Sequence, residues 1–215
     1  MTYALQANLP LRSSMHQPVL PRLVAAVAGL FPPRLAPDRI DSPTGLFNFG
    51  GLMSAADELL APARRDGRPL TVIVIEFSDL REVHQLYGHA VRRKVIANVV
   101  RKLQAVAGRR GLAGRTGAGQ FTLVLPTGRD RALRSLERVL GKTARIEFDG
   151  AGDEIVLVPE LAVDSTDAAT ESIQPLWDEM CRDLAARHEH EVRRRHCLQR
   201  ERERHSRPMA LPMHG

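Results

Sequence analysis

The sequence predicts an α/β (α+β) fold with a single central mixed β-sheet flanked by helices. Three observations carry that reading. The run Leu70-Thr71-Val72-Ile73-Val74-Ile75-Glu76-Phe77 is β-branched, of strand length and almost continuously apolar, as a central strand buried on both faces must be. The segments on either side of it place apolar residues at helical spacing: Leu52, Ala55, Ala56, Leu59 and Leu60 before it, and Val95, Ile96, Val99, Val100 and Leu103 after it. Hairpin signals and helical crossovers then mix along the chain, which suits one sheet with helices packed on it.

Residues 1–40 read as a Pro-rich leader, because Pro10, Pro18, Pro21, Pro32, Pro33 and Pro37 break regular structure; only Arg22 to Phe31 has the pattern of a short apolar helix. The main domain spans 41–187. It opens with the turn chemistry of Asp41-Ser42-Pro43-Thr44-Gly45. A helix follows from Phe49 to Arg65, ended by Asp66-Gly67-Arg68-Pro69, and then the strand Leu70–Phe77. Leu80 to Tyr87 is a short helix, broken at Gly88-His89 and resumed from Ala90 to Ala107. The Gly- and Arg-rich turn Gly108 to Gly114 leads into a hairpin around Gly117-Ala118-Gly119, whose second strand is Gln120 to Leu125. Arg129 to Leu140 is helical. Ala144 to Phe148 and Glu154 to Val158 are strands around the turn Asp149-Gly150-Ala151-Gly152, and Ile173 to Arg187 is the last helix of the domain, with Trp177 at core spacing. Residues 188–215 form a charged, Arg-rich C-terminal tail.

Composition narrows the function. The 215 residues carry a formal net charge of +6, which invites a nucleic-acid or acidic-membrane reading. Yet Arg187 to Arg207 holds eight arginines against four glutamates, so four of the six excess charges sit in one short tail. Alternating signs there predict a solvated helix with internal pairs such as Glu189–Arg193. Aromatics are 4%, poor material for stacking unpaired bases. Cys181 and Cys197 cannot build a disulfide framework or a four-ligand zinc site, and His188, His190 and His196 match no zinc spacing. No apolar run reaches membrane-spanning length, and the apolar stretch Val19–Phe31 is too interrupted for a signal peptide, so a cytoplasmic protein is expected.

Three segments carry the functional argument: Ser42-Pro43-Thr44-Gly45-Leu46-Phe47-Asn48, then Ile75-Glu76-Phe77-Ser78-Asp79 through Tyr87-Gly88-His89, then Arg115-Thr116-Gly117-Ala118-Gly119-Gln120-Phe121 through Leu125-Pro126. In order and spacing they resemble a GGDEF domain, the diguanylate cyclase family. The resemblance implies the palm-like nucleotidyl-cyclase fold and, for an active member, condensation of two GTP into cyclic di-GMP across an antiparallel homodimer with magnesium. What matches is mainly what builds the fold: Thr44, Gly45, Leu46 and Asn48, then Tyr87, Gly88 and His89, then Arg115, Gly117 and Phe121.

The chemistry-bearing positions depart from the family. The first acid of the strand motif, a metal ligand in the family, is Glu76 here, one methylene longer. The third hairpin position, the other metal-binding carboxylate, is Gly119, and the fourth is the neutral Gln120. Ser78 replaces the second acid of the strand motif. The guanine-reading positions hold His84 and Arg93, and Arg93 can only donate where a carboxylate would accept. The product-inhibition pair would fall on Gly108 and Gly111.

Each feature also has a plainer reading. Glu76 is either a residual metal ligand or a strand-end acid paired with Arg115 or another arginine. Gly117-Ala118-Gly119 either offers N–H groups to a phosphate or is an ordinary turn. Arg93 and Lys94 are either an anion site or a solvated helix face. The expectation is therefore a degenerate GGDEF domain with no catalytic residues and no resident cofactor, magnesium entering only with residual activity. Its pocket, if it takes GTP or cyclic di-GMP, is expected at His84, Arg93, Arg115 and Gly117. It would serve as a regulatory or scaffolding module with a protein partner in cyclic di-GMP signalling. The alternatives are an altered but active cyclase using Glu76, or a nucleic-acid-binding module using the basic tail.

Overall fold

The computed structural model describes residues 37–147 and 154–205. The expected leader helix at Arg22–Phe31 and the turn at Asp149–Gly152 lie outside the described residues.

After a short 3-10 turn at Pro37–Arg39 come helix α1 (Phe49–Arg65), strand β1 (Thr71–Glu76), helix α2 (Leu80–Ala107), strands β2 (Leu112–Arg115) and β3 (Gln120–Leu125), and helix α3 (Arg129–Leu140). Strands β4 (Ala144–Glu147), β5 (Glu154–Leu157) and β6 (Glu160–Ser165) and helix α4 (Ile173–His205) complete the order. The helices expected within residues 41–187 and the expected strands, β1 to β5, are present. Helix α1 starts where Asn48 caps it, the Asn48 side chain accepting from Gly51 N–H at 2.8 Å. Helix α2 is kinked at Gly88, whose φ of 80° lies in the left-handed region, so the break read from Gly88-His89 stands.

β1 is the middle of the sheet, as its apolar run requires. The strand order is β2-β3-β1-β6, and every strand pair is antiparallel. Among the described residues the one parallel contact is the isolated bridge between Phe47 and Gly114, which lays the opening motif along the outer edge of β2. The sheet is thus antiparallel rather than mixed, and two further details differ from the expectation of a single sheet. The β4–β5 pair forms its own two-stranded sheet. The fourth strand of the main sheet is β6, in a stretch where the sequence predicts no strand. As an edge strand it buries only Ala162 fully, so it lacks the apolar run that marks β1.

The side chains of β1 alternate between two cores. Val72 and Val74 join Val124, Ala162, Leu52, Ala56, Leu60, Met180 and Leu184 under α1 and α4. Ile73 and Ile75 join Phe77, Phe121, Leu123, Val99, Leu103 and Leu136 under α2 and α3. Trp177 of α4 stacks on Phe49 with ring centroids 4.8 Å apart and donates its Nε1–H to Thr122 Oγ1 at 2.9 Å, the packing role its spacing suggests. Helix α4 runs through residue 187 without a break to His205, so the Arg-rich segment begins as a continuation of the helix that covers the sheet.

Candidate functional site

The three motif segments, far apart in sequence, meet at one end of the sheet. The opening motif folds as a turn on Asp41, whose carbonyl accepts from Gly45 N–H at 2.8 Å, with Gly45 at φ 70°. Phe47 then pairs with β2: its N–H donates to Ala113 O at 3.2 Å and its carbonyl accepts from Arg115 N–H at 2.8 Å. The strand motif joins the hairpin through Phe77 N–H, which donates to Gly119 O at 3.0 Å. Phe77 and Phe121, both fully buried, meet edge to face at 6.0 Å. Neither phenylalanine can therefore reach a nucleic-acid base, and Phe148 lies outside the described residues.

Glu76 sits at the end of β1, half-buried, on the face that α4 covers. Cross-strand pairing puts Gln120 on one side of it and Glu160 on the other. Gly119 is immediately beside it: a Cβ built there would stand 3.5 Å from Glu76 Oε1 and only 2.8 Å from the carbonyl oxygen of Phe77. The two positions assigned to metal binding are thus neighbours, one with a carboxylate and one with no side chain and no room for one without movement. Burial, above all, raises the Glu76 carboxyl above its ordinary value; a hydrogen bond from Gln120 opposes this, Glu160 adds to it, and His188 opposes it.

The neighbours of Glu76 correct one expectation. Arg115 does not pair with it. Arg115 Nη1 pairs with Asp41 Oδ2 at 3.4 Å, its Nε donates to Gly117 O at 3.2 Å and its Nη2 to Ala118 O at 3.1 Å. Arg92 of α2 also donates to Ala118 O, at 3.3 Å. Both arginines therefore hold the hairpin turn from outside. Gly117 N–H donates to Gln120 O at 3.2 Å, so the turn itself uses that group. His84 and Arg93 lie exposed on α2, before and after the Gly88 kink. His84 meets the ring of His89 at 6.0 Å, and among the described residues no hydrogen bond joins His84 or Arg93 to Arg115 or Gly117. Of the four residues of the expected pocket, Arg115 and Gly117 are joined by a hydrogen bond, and among the described residues His84 and Arg93 share none with them.

Around Gln120 runs a polar chain. Thr116 Oγ1 donates to its Oε1 at 3.0 Å, and its Nε2 faces Cys181 Sγ at 3.8 Å. Burial pushes the Cys181 thiol up to about 11, with Asp178 adding to the shift, so it stays protonated at neutral pH. Glu160 is bound by His188 Nδ1 at 3.1 Å, and Arg193 pairs with Glu189 at 2.9 Å, the helix-spaced pair expected in the tail. Among the described residues no three His, Cys, Asp or Glu side chains converge as a metal cluster. No helix among them is long and apolar enough to cross a membrane. Sequence reasoning missed Asp41, Arg92 and Glu160 as parts of this end of the sheet. Asp41 immediately precedes the matched opening segment and could have been tied to Arg115; Glu160 could be placed only once β6 was known.

Known proteins align with this arrangement. The "Probable diguanylate cyclase DgcF" of Escherichia coli (strain K12) is 27% identical over 104 residues, 48% of this chain but only 32% of that protein. Among solved structures, the GGDEF domain of DgcB from Caulobacter crescentus, in complex with c-di-GMP, superposes with a TM-score of 0.61 at 16% identity over 70% of this chain and 90% of that one. The diguanylate cyclase SiaD in complex with its activator SiaC, from Pseudomonas aeruginosa, superposes with a TM-score of 0.62 at 18% identity over 78% of this chain and 65% of that one. At those identities the structures speak to the fold alone. The family described as "Diguanylate cyclase, GGDEF domain" matches residues 39–161, more than half of the chain. With its three motif segments joined at one sheet end as the fold requires, the chain belongs to the diguanylate cyclase GGDEF-domain family.

Proposed function

We propose that this domain no longer condenses GTP into cyclic di-GMP, and that it serves cyclic di-GMP signalling as a regulatory or scaffolding module in the cytoplasm. The observation that carries the reading is Gly119 set against Glu76, with Phe77 O where a side chain would begin. Magnesium needs an octahedron of oxygens and, in nucleotide sites, is held by one or two ionised carboxylates together with phosphates. Here Glu76 is half-buried, with its carboxyl pKa raised by burial and Gln120 across the strand from it, while Glu160 is engaged by His188. These residues do not fit a magnesium site. The guanine-reading positions point the same way, since His84 and Arg93 stand exposed where the family has an amide and an acid.

A protein-facing role is the remaining use of an intact framework with this site altered. The complex of SiaD with its activator is a precedent for a GGDEF protein engaging a protein partner, and the DgcB complex for one engaging c-di-GMP. The altered-cyclase alternative rests on the single retained carboxylate, Glu76. A calorimetric titration with GTP, run with and without magnesium, separates the two. The proposal expects magnesium to leave the GTP isotherm unchanged. GTP binding that tightens with magnesium, and loses that dependence in Glu76→Ala, would establish a working metal site and overturn it.

A further inference from the structure

The two edges of the main sheet are treated differently. The β2 edge is covered by Phe47. The β6 edge is not paired with any described strand. Thr166 N–H donates to Leu70 O at 2.8 Å, so the antiparallel alternation turns the backbone of Glu160, Ala162 and Asp164 toward β1 and that of Leu161, Val163 and Ser165 outward. Two outward groups are already used, Leu161 O by Arg187 Nη1 at 3.1 Å and Ser165 N–H by Asp164 Oδ1 at 2.7 Å. Such charged plugs are a common way to blunt an edge. Both backbone groups of Val163, between the two plugs, and the Leu161 N–H, just before the first, face an open cleft of about 470 Å³ between α3 and α4.

We propose that this edge of β6 docks an extended peptide of alternating apolar and basic residues, added as a further antiparallel strand. The walls specify the alternation. Toward α3 the added side chains would meet Leu133, Leu161 and Val163. Toward α4 they would meet Asp164, Glu179 and Asp183, with Met180 beneath. Among the described residues no ion pair engages Glu179 or Asp183; of the two cations that line the cleft, Arg187 is turned onto Leu161 O, and Arg129 stands at the start of α3, opposite the acidic wall. Backbone pairing supplies affinity and the two walls supply specificity, as in other sheet-edge recognition. The surface lies along the side of the sheet, so it does not depend on the loss of the site at Gly119 and Glu76.

The probe is a fluorescein-labelled hexapeptide of alternating valine and lysine, titrated with the full chain and read by anisotropy. Valines facing Leu161 and Val163 occupy the hydrogen-bonded positions of the new pair. N-methylation of the valines should therefore weaken binding at least about tenfold, while N-methylation of the lysines, whose N–H groups point away, should change it little. Asp183→Lys should weaken binding most at low salt. Val163→Pro, tolerated at an edge position whose N–H faces outward, should weaken it as valine N-methylation does; if that variant does not fold, the two methylated peptides carry the test alone. Absence of binding, equal effects of the two methylations, or equal binding of a valine–glutamate peptide would overturn the proposal. So would a chain that self-associates through this edge, with Val163→Pro rendering it monomeric and the peptide unable to compete.

Discussion

Replacing Gly119 by alanine tests whether the hairpin is packed against β1 or merely lies near it. The Phe77 N–H···O=C Gly119 bond of 3.0 Å sets the approach, and Phe77 is held by complete burial. A Cβ at 119 would fall 2.8 Å from Phe77 O, about 0.6 Å inside the 3.4 Å at which ordinary contact begins. The obstacle is backbone, so no side-chain rotation relieves it. Overpacking of this kind costs about 1–3 kcal/mol, offset by about 0.4–1 kcal/mol from the stiffer unfolded chain, because Gly119 is not held in the left-handed region. At the middle of these ranges the net loss is about 1.3 kcal/mol, or roughly 3–5 °C in Tm for a chain of this size. Gly128→Ala is the control for sterics, since a Cβ there meets nothing within 4 Å; Gly128 caps α3, where alanine is the poorer residue, so the change should stay within about 1 kcal/mol of the parent. Thermal and urea unfolding followed by circular dichroism gives both values. A Gly119→Ala variant as stable as the parent, beside a control within that range, would mean that the site has room for a side chain and that the packing argument fails.

Two further predictions concern stability. The Glu76 carboxyl is raised in the folded state, so it adds no cost below its ordinary value of 4.5, where both states are protonated; above that value the unfolded chain ionises first and stability falls until the folded group also ionises. Glu76→Gln should therefore be more stable than the parent at pH 7, with the gap closing as the pH is lowered below 4.5; a gap in urea unfolding that is constant with pH would contradict the burial of Glu76. Phe121→Ala removes a fully buried ring that meets Phe77 edge to face, and should lose about 3–5 kcal/mol in urea unfolding; a loss under about 1 kcal/mol would mean that Phe121 is not an anchor of the hairpin.

Much of the fold was legible because its strongest elements satisfy several local rules at once. β1 is β-branched and apolar on both faces, and the helices bury residues that recur at helical spacing. Gly88 announced the kink in α2 because only glycine takes its φ of 80° without strain. β6 was missed for the opposite reason: it is half-buried, carries Glu160 and Asp164 near its two ends and is flanked by one partner, so its pattern is weak until β1 is placed beside it. The site divides in the same way. The matched motifs made Glu76 and Gly119 recognisable as partners, and the structure sets them side by side. The pairing of Arg115 with Asp41, the reach of Arg92 to Ala118 O and the position of Glu160 opposite Glu76 depend on how distant segments meet. Local residue patterns carry no record of that.

The central claim, that the family's metal-dependent chemistry is lost, is tested most directly by incubating the purified chain with GTP and magnesium and separating the nucleotides by chromatography over several hours. The account predicts no cyclic di-GMP above the protein-free blank. A cyclic di-GMP peak that grows with protein concentration and disappears in Glu76→Ala would contradict it.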